Sequence, residues 1–380
     1  MAPEVRIPVP AQDSQTSVAL PISPPTVATR RSGMMFCVVG DGLASAELFR
    51  KNFCDYIVYP DLVAQGGEFV PLLGKVSWNV FQAGAKVNRD VGLGLSFSAV
   101  GIGQHGSTLD SLPSMATQLA GFVQTMNVTA MGVLNFPRHL GTKANTLAPA
   151  FQAFANAVSQ QRHTEPMTFL GVWLYKEATA REFASEVATM THINTIIIQT
   201  HISVPFRAGH TCISRPICAM AASDLRPSFE VAQQAESFLR SRGDKFRIVF
   251  SSTLGVMVYV GQAFRKQPSG PYDACDSSYM AGRDFLCSGG TTSLGLEMYD
   301  KDEMYTYVIY QDGSNQHFVT YETTNSLLDK MNLYIETISD GWALFEAHRD
   351  SAQGCAIQEH YQRLEMVQFN ARNRSRNSLR

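Results

Sequence analysis

Between Gln124 and Gln161 the chain has no aspartate or glutamate, although this stretch holds one of its best strand candidates, Val128 to Phe136. Charge is scarce throughout. Charged residues make up 17% of the 380 positions, against about a quarter in typical soluble domains. Lys and Arg total 31 and Asp and Glu 33, a net charge of -2. That balance excludes a general polyanion-binding surface, so no nucleic-acid partner is expected. The one basic concentration, Arg363, Arg372, Arg374, Arg376 and Arg380, reads as a solvated tail. No run approaches the roughly 20 apolar residues of a membrane span. Met1 to Ser32 has no continuous apolar core of a signal peptide; its prolines, serines and threonines read as a disordered leader. No CxxC pair occurs, and His105, His139, His201 and His210 show neither H-x-H nor H-E-x-x-H spacing. No metal and no cofactor are therefore expected.

The apolar fraction, 45%, is that of a folded chain with a large core. Strand-length apolar runs alternate with helical patterns from Met34 onward: Met34–Val39, Tyr56–Tyr59, Val91–Ser98, Val128–Phe136, Met167–Tyr175, Ile193–Thr200, Phe246–Ser251 and Gly341–Glu346. Gln65-Gly-Gly-Glu68 predicts a hairpin turn after the second run. Between about Thr253 and Lys330 the alternation breaks into segments dense in β-formers, Val256–Val260 and Met304–Tyr310. Eight near-continuous apolar strands joined by helices predict a parallel sheet covered on both faces. Eight such units favour a TIM (β/α)8 barrel, with a small α+β insertion between strands seven and eight. A doubly wound open sheet is the weaker alternative. The expected organisation is a leader over 1–33, the barrel over 34–358 with its insertion at about 253–330, and a basic tail over 359–380.

Seven cysteines leave their states open. Buried free thiols are one reading. Disulfides are the other, and imply an oxidising compartment. Cys37 and Cys54 sit at the starts of neighbouring strands, while Cys212/Cys218 and Cys275/Cys287 read as local pairs, with Cys355 left over.

Four segments resemble glycoside hydrolase family 18, the chitinases and chitinase-like proteins. Phe36-Cys-Val-Val39 and Cys54-Asp-Tyr-Ile-Val-Tyr59 are similar to the family's first two strands, where a strand-one cysteine is often bridged to one opening strand two. Phe318-Val-Thr-Tyr-Glu-Thr-Thr-Asn-Ser-Leu-Leu-Asp-Lys330 resembles the family's Tyr-Asp-Asp…Ser…Lys approach to the last helix. Asp340-Gly-Trp-Ala-Leu-Phe-Glu346 resembles its strand-eight ending. The pattern looks most like divergent chitinase-like proteins of blood-feeding arthropods such as ticks.

That resemblance implies a test. The family's strand four ends Asp-x-x-Asp-x-Asp-x-Glu; its Glu protonates the glycosidic oxygen while the substrate's own acetamido group attacks, a substrate-assisted exception to the two-carboxylate scheme. Laid on this chain, the pattern puts Thr129 at the first acid and Gly132, Leu134 and Phe136 at the three inward positions. A shift of one residue offers Asn135, still no acid. The strand-six Tyr and Asp are replaced within Gln199-Thr-His-Ile202, and the strand-eight floor Trp becomes Phe345, with Trp342 nearby.

The expectation is a pseudoenzyme with no catalytic residue, acting as a carbohydrate- or host-protein-binding monomer. The binding candidates are Tyr59, Phe97, His201, Trp342, Phe345 and Glu346, and a chitooligosaccharide is the glycan the resemblance implies. The cysteine placement points to secretion. One rival is a divergent hydrolase that takes its acid from Glu322 or Glu346; another is a structural barrel without ligand.

Overall fold

The computed structural model describes residues 33–72, 74–88, 90–99, 108–136, 142–159, 167–202, 211–223, 226–261, 270–287, 295–312, 315–334, 339–351 and 360–377. Most of the leader, Cys355, and three of the four histidines weighed above (His105, His139, His210) lie outside them.

Eight parallel strands close on themselves: Met34–Val38, Tyr56–Gln65, Gly92–Phe97, Val128–Phe136, Met167–Trp173, Thr195–Gln199, Arg247–Thr253 and Gly341–Phe345. The first pairs with both the second and the last, so no barrel edge is left open. The second strand runs on into the expected hairpin, pairing with Glu68–Pro71 across Gly66 and Gly67, both at positive φ.

Alternation along each strand divides the apolar residues into two layers. Met34, Phe36, Val38, Val58, Ala130, Leu134, Met167, Phe169, Ile197, Val249, Ala343 and Phe345 fill the barrel interior. Cys37, Ile57, Tyr59, Leu95, Phe97, Met131, Val133, Phe136, Leu170, Ile196, Phe250, Trp342 and Leu344 face outward into the layer under the helices. That layer is aromatic-rich: Tyr59 packs on Trp78 and Phe81, Phe97 on Phe154, and Trp342 on Phe229.

The expected insertion is a separate antiparallel sheet of five strands, from Val256–Val260 to Asn315–Tyr321. Its own buried cluster is Val256, Val258, Val308, Val319 and Tyr321. The following helix, Thr324–Tyr334, is fixed by a buried triad in which Glu322 accepts from both Ser326 Oγ and Lys330 Nζ. This is the segment carrying the Tyr…Ser…Lys likeness, and the triad is what those residues do physically.

Two expectations need correction. The tail is not uniformly solvated: Gln362–Asn377 is helical, and Leu364, Val367 and Ala371 are buried at helical spacing. Arg363, counted with the tail's exposed charges, is buried too; it donates to Asp350 and to the carbonyls of Glu322 and Leu254. The cysteines also pair differently. Cys37–Cys54 forms, but Cys212 joins Cys275 across 63 residues, Cys287 is disulfide-bonded, and Cys218 is a buried free thiol. The Cys212–Cys275 bond ties the segment after strand six to the insertion, a long-range contact that spacing along the chain does not reveal. Disulfides of this kind fit an oxidising compartment. Among the described residues, no helix is long and apolar enough to cross a membrane.

Candidate functional site: the barrel mouth

In barrels of this kind the chemistry stands at the C-terminal ends of the strands. The interior beneath is closed by apolar packing, since Val38, Val58, Leu134 and Phe345 are each at most 5% exposed. At strand four the inward positions cannot hold acids. A Cβ on Gly132 would lie 1.9 Å from the Phe169 carbonyl oxygen, so not even an alanine fits unless the backbone moves. Leu134 is sealed in the interior cluster.

The last position differs from the alternation-based expectation. The pairing of strands four and five shifts between Val133 and Phe136, and Asn135 sits at φ 43°. This bulge turns Phe136 outward, into the layer under the helices, and brings Asn135 over the mouth. A second irregularity occurs in strand two between Tyr59 and Leu62, where Asp61 sits at φ 56°. Asp and Asn tolerate this left-handed region better than most residues.

The two bulges turn Asp61 and Asn135 towards one another, close enough for Asn135 to act on the Asp61 carboxyl. A chain of bonds leads to Asn135: Gln199 Nε2 donates to Asn135 Oδ1 at 3.3 Å, and Trp173 Nε1 donates to Gln199 Oε1. The direction is therefore fixed. Indole N–H feeds one amide, and that amide the next. Gly171 leaves room for the crossing over strand five, because a Cβ there would lie 3.1 Å from Leu134 and 3.2 Å from Gln199 Nε2. Below it, Ser96 Oγ accepts from the Leu134 amide. Burial pushes the Asp61 carboxyl above the ordinary carboxylate range, and the Asn135 bond pulls part of the way back. The acid beside Asn135 comes from strand two rather than strand four.

The candidates read from sequence separate into groups. Tyr59, Phe97 and Trp342 are fully buried outside the barrel wall and have no surface at the mouth. Phe345 lines the interior, with the His201 ring 4.4 Å away. His201 is itself fully buried, its Nδ1 2.8 Å from Ser251 Oγ and its Nε2 without a hydrogen-bond partner among the described residues. Glu346 leaves strand eight at φ 53° and is held by Arg349 Nε at 2.5 Å. Glu322 is committed to Lys330 and is inaccessible. Asp61 and Trp173 were not legible as site residues, and Asn135 and Gln199 only as places where an acid was missing. Gly101-Ile-Gly-Gln-His-Gly106 has the G-x-G-x-x-G spacing but lies outside the described residues. The closed barrel lacks the crevice in which a doubly wound sheet binds a dinucleotide.

Burial holds His201 neutral down to about 3, and it lowers His348, which lies 3.6 Å from Glu346, to about 4. An unfolded chain protonates both near pH 6.5. Below that pH the unfolded state binds more protons, so stability present above pH 6.5 is lost as the pH falls towards the folded values. Each histidine contributes up to about 1.4 kcal/mol per pH unit. His201→Gln is expected to flatten the acid slope of thermal melts between pH 6.5 and 4.5; identical slopes would contradict this.

No protein-family profile matches the chain, and no curated protein matches it by sequence. Solved structures do. Human YKL-39, described as a pseudo-chitinase with retained chitooligosaccharide binding, superposes with a TM-score of 0.64 over 89% of this chain and 99% of its own, at 11% identity. The fold is that of a chitinase-type barrel. An immunomodulatory active chitinase from Trichuris suis gives 0.63 at 12% identity, covering 90% of this chain and 99% of that one. A glycoside hydrolase family 18 N-acetylglucosaminidase from Paenibacillus barengoltzii gives 0.60 at 12%, covering 89% and 99%. Active and inactive proteins thus share this chitinase-type frame, and at such identities the likeness is one of fold alone.

Proposed function

We propose that the chain is a divergent, family-18-like chitinase-type barrel that binds a glycan at its mouth without hydrolysing it by the family's chemistry. The observation carrying this reading is strand four. Its inward side offers a glycine with no room for a side chain, a packed leucine and a neutral amide, Asn135, which the bulge puts in place of Phe136, the residue at the proton donor's position in the family pattern. A positioned general acid contributes typically about 10²–10⁴-fold, and an amide cannot supply that proton. The bonded amides, the partly exposed Trp173 and the disulfide frame suit an exported protein that holds a neutral, hydroxyl- and acetamido-bearing sugar such as a chitooligosaccharide. Human YKL-39 is described as retaining chitooligosaccharide binding.

A second reading is favoured by Asp61. A carboxyl held above its ordinary range by burial is the kind of group that retains a proton for donation. Glu346, the other carboxylate weighed at the strand ends, is engaged by Arg349. A fluorogenic chitooligosaccharide assay between pH 4 and 7 separates the two. The expected result is no release above the buffer blank; turnover abolished by Asp61→Asn would establish the second reading.

A further inference from the structure

We propose that Asn127 is an N-glycosylation site, its side-chain amide carrying an oligosaccharide added in the secretory compartment. This rests on export, one part of the reading above, and is independent of what the mouth binds. Asn127-Val-Thr129 has the acceptor form Asn-x-Ser/Thr with no proline between. The chain holds one other such triplet, Asn373-Arg-Ser375. Val128 and Thr129 are buried in strand four, at 0% and 3% exposure, whereas Asn127 just before them is exposed. It ends the helix Ala116–Met126 in the left-handed region, at φ 53°, and its backbone N–H donates to the carbonyls of Val123 and Gln124. Glycine is the usual residue at such a cap, and asparagine also serves there. Strand four starts at Val128, so Asn127 lies at the N-terminal end of the barrel, away from the mouth. The Cys37–Cys54 and Cys212–Cys275 bonds fit the oxidising compartment in which this transfer takes place.

The donor is an oligosaccharide joined through its anomeric carbon to a polyprenyl diphosphate. Transfer breaks that carbon–oxygen bond and forms one from the anomeric carbon to Asn127 Nδ2. The amide gives up one proton, the lipid diphosphate leaves, and nothing is oxidised or reduced. The transferase also reads the hydroxyl two residues on. In the folded protein that hydroxyl is out of reach: Thr129 Oγ1 lies 3.5 Å from the Leu93 carbonyl oxygen, and Val128 is paired with Leu93. Transfer therefore precedes the closure of strand four. The chain order leaves time for it, because the strand's other neighbour begins only at Met167, opposite Ala130. Synthesis at about 5–20 residues per second takes roughly seconds to supply that strand. Once the strands pair, the glycan stays on the exposed turn and the hydroxyl is sealed in the wall.

The test is cell-free translation of the full chain behind a cleavable secretion leader, with microsomes present, followed by protease removal of chain left outside them. The protected wild type is expected to migrate more slowly and to lose that shift on treatment with peptide N-glycosidase. Mapping the released chain is expected to show aspartate in place of the asparagine at position 127. Asn127→Gly keeps the left-handed cap and Thr129→Val removes the hydroxyl; both are expected to lose this glycan. Thr129→Ser keeps a hydroxyl and is expected to retain it. The signal is read on the translocated chain, so a variant that fails to fold still gives an answer. An unmodified Asn127 in the protected wild type, with or without a glycan on Asn373, would overturn the inference. So would a glycan on Asn127 that persists in Thr129→Val. Neither outcome touches sugar binding at the mouth, which stands or falls by its own titration.

Discussion

Gly132→Ala is expected to destabilise the protein by about 3 kcal/mol or more, the upper range for overpacking a core position. The added methyl would lie 1.9 Å from a backbone oxygen of strand five and 2.7 Å from the Phe169 ring, and neither can yield without disturbing the parallel ladder. In a chain of this size that is a fall in melting temperature of roughly 4 °C or more. Gly132→Glu, which would restore a family acid on paper, is expected to yield no soluble protein and no activity. Gly121→Ala is the control. It lies in the helix Ala116–Met126 with nothing near its Cβ, so a neutral or slightly stabilising effect is expected. Equal melting temperatures for Gly132→Ala and wild type would show that the strand-four face has room, and would remove the main argument against a hydrolytic site there.

Lys330→Met is the second large effect. Lys330 and Glu322 form an ion pair with no exposure of either side chain, and Ser326 Oγ donates to the same carboxylate. Removing one partner of such a pair strands a charge and typically costs about 3–5 kcal/mol. The double variant Lys330→Met with Glu322→Gln removes both charges, and its stability is expected to return most of the way towards wild type. Urea denaturation of the two variants beside wild type measures this. A double variant no better than Lys330→Met would mean that the pair's hydrogen bonds, not the stranded charge, set the loss. Neither residue reaches the mouth, so the effect on ligand affinity is expected to be small wherever the variant remains folded.

These cases show what sequence conveys here. The barrel strands were legible because each is a short apolar run and the runs recur between helical patterns; the bounds found for strands one, three and four differ by at most a residue from those read. The insertion was legible as a break in that rhythm. The mouth was not, because its assembly depends on two bulges. Strict alternation puts Phe136 inward and makes Asn135 a spectator, whereas one extra residue in the strand reverses both. Asp61 follows Tyr59-Pro60, where the apolar run of the second strand ends, and only the irregular pairing carries the strand on to Leu62. A turn-prone Asp or Asn inside a β-forming run was the available signal. The buried face of Gln362–Asn377 was hidden by its Arg and Asn residues, although Leu364, Val367 and Ala371 mark it. The aromatic candidates were placed by proximity to strand ends, and their pointing outward follows from the same alternation that fills the interior with Phe36, Phe169 and Phe345.

The central claim is that the mouth holds a chitin-type sugar and leaves it whole. One prolonged isothermal calorimetry run, with tetra-N-acetylchitotetraose injected into purified protein at pH 6, reads both halves. The account predicts saturable heats, each returning to the starting baseline. A baseline that stays displaced after every injection, the signature of continuing bond cleavage, would contradict it.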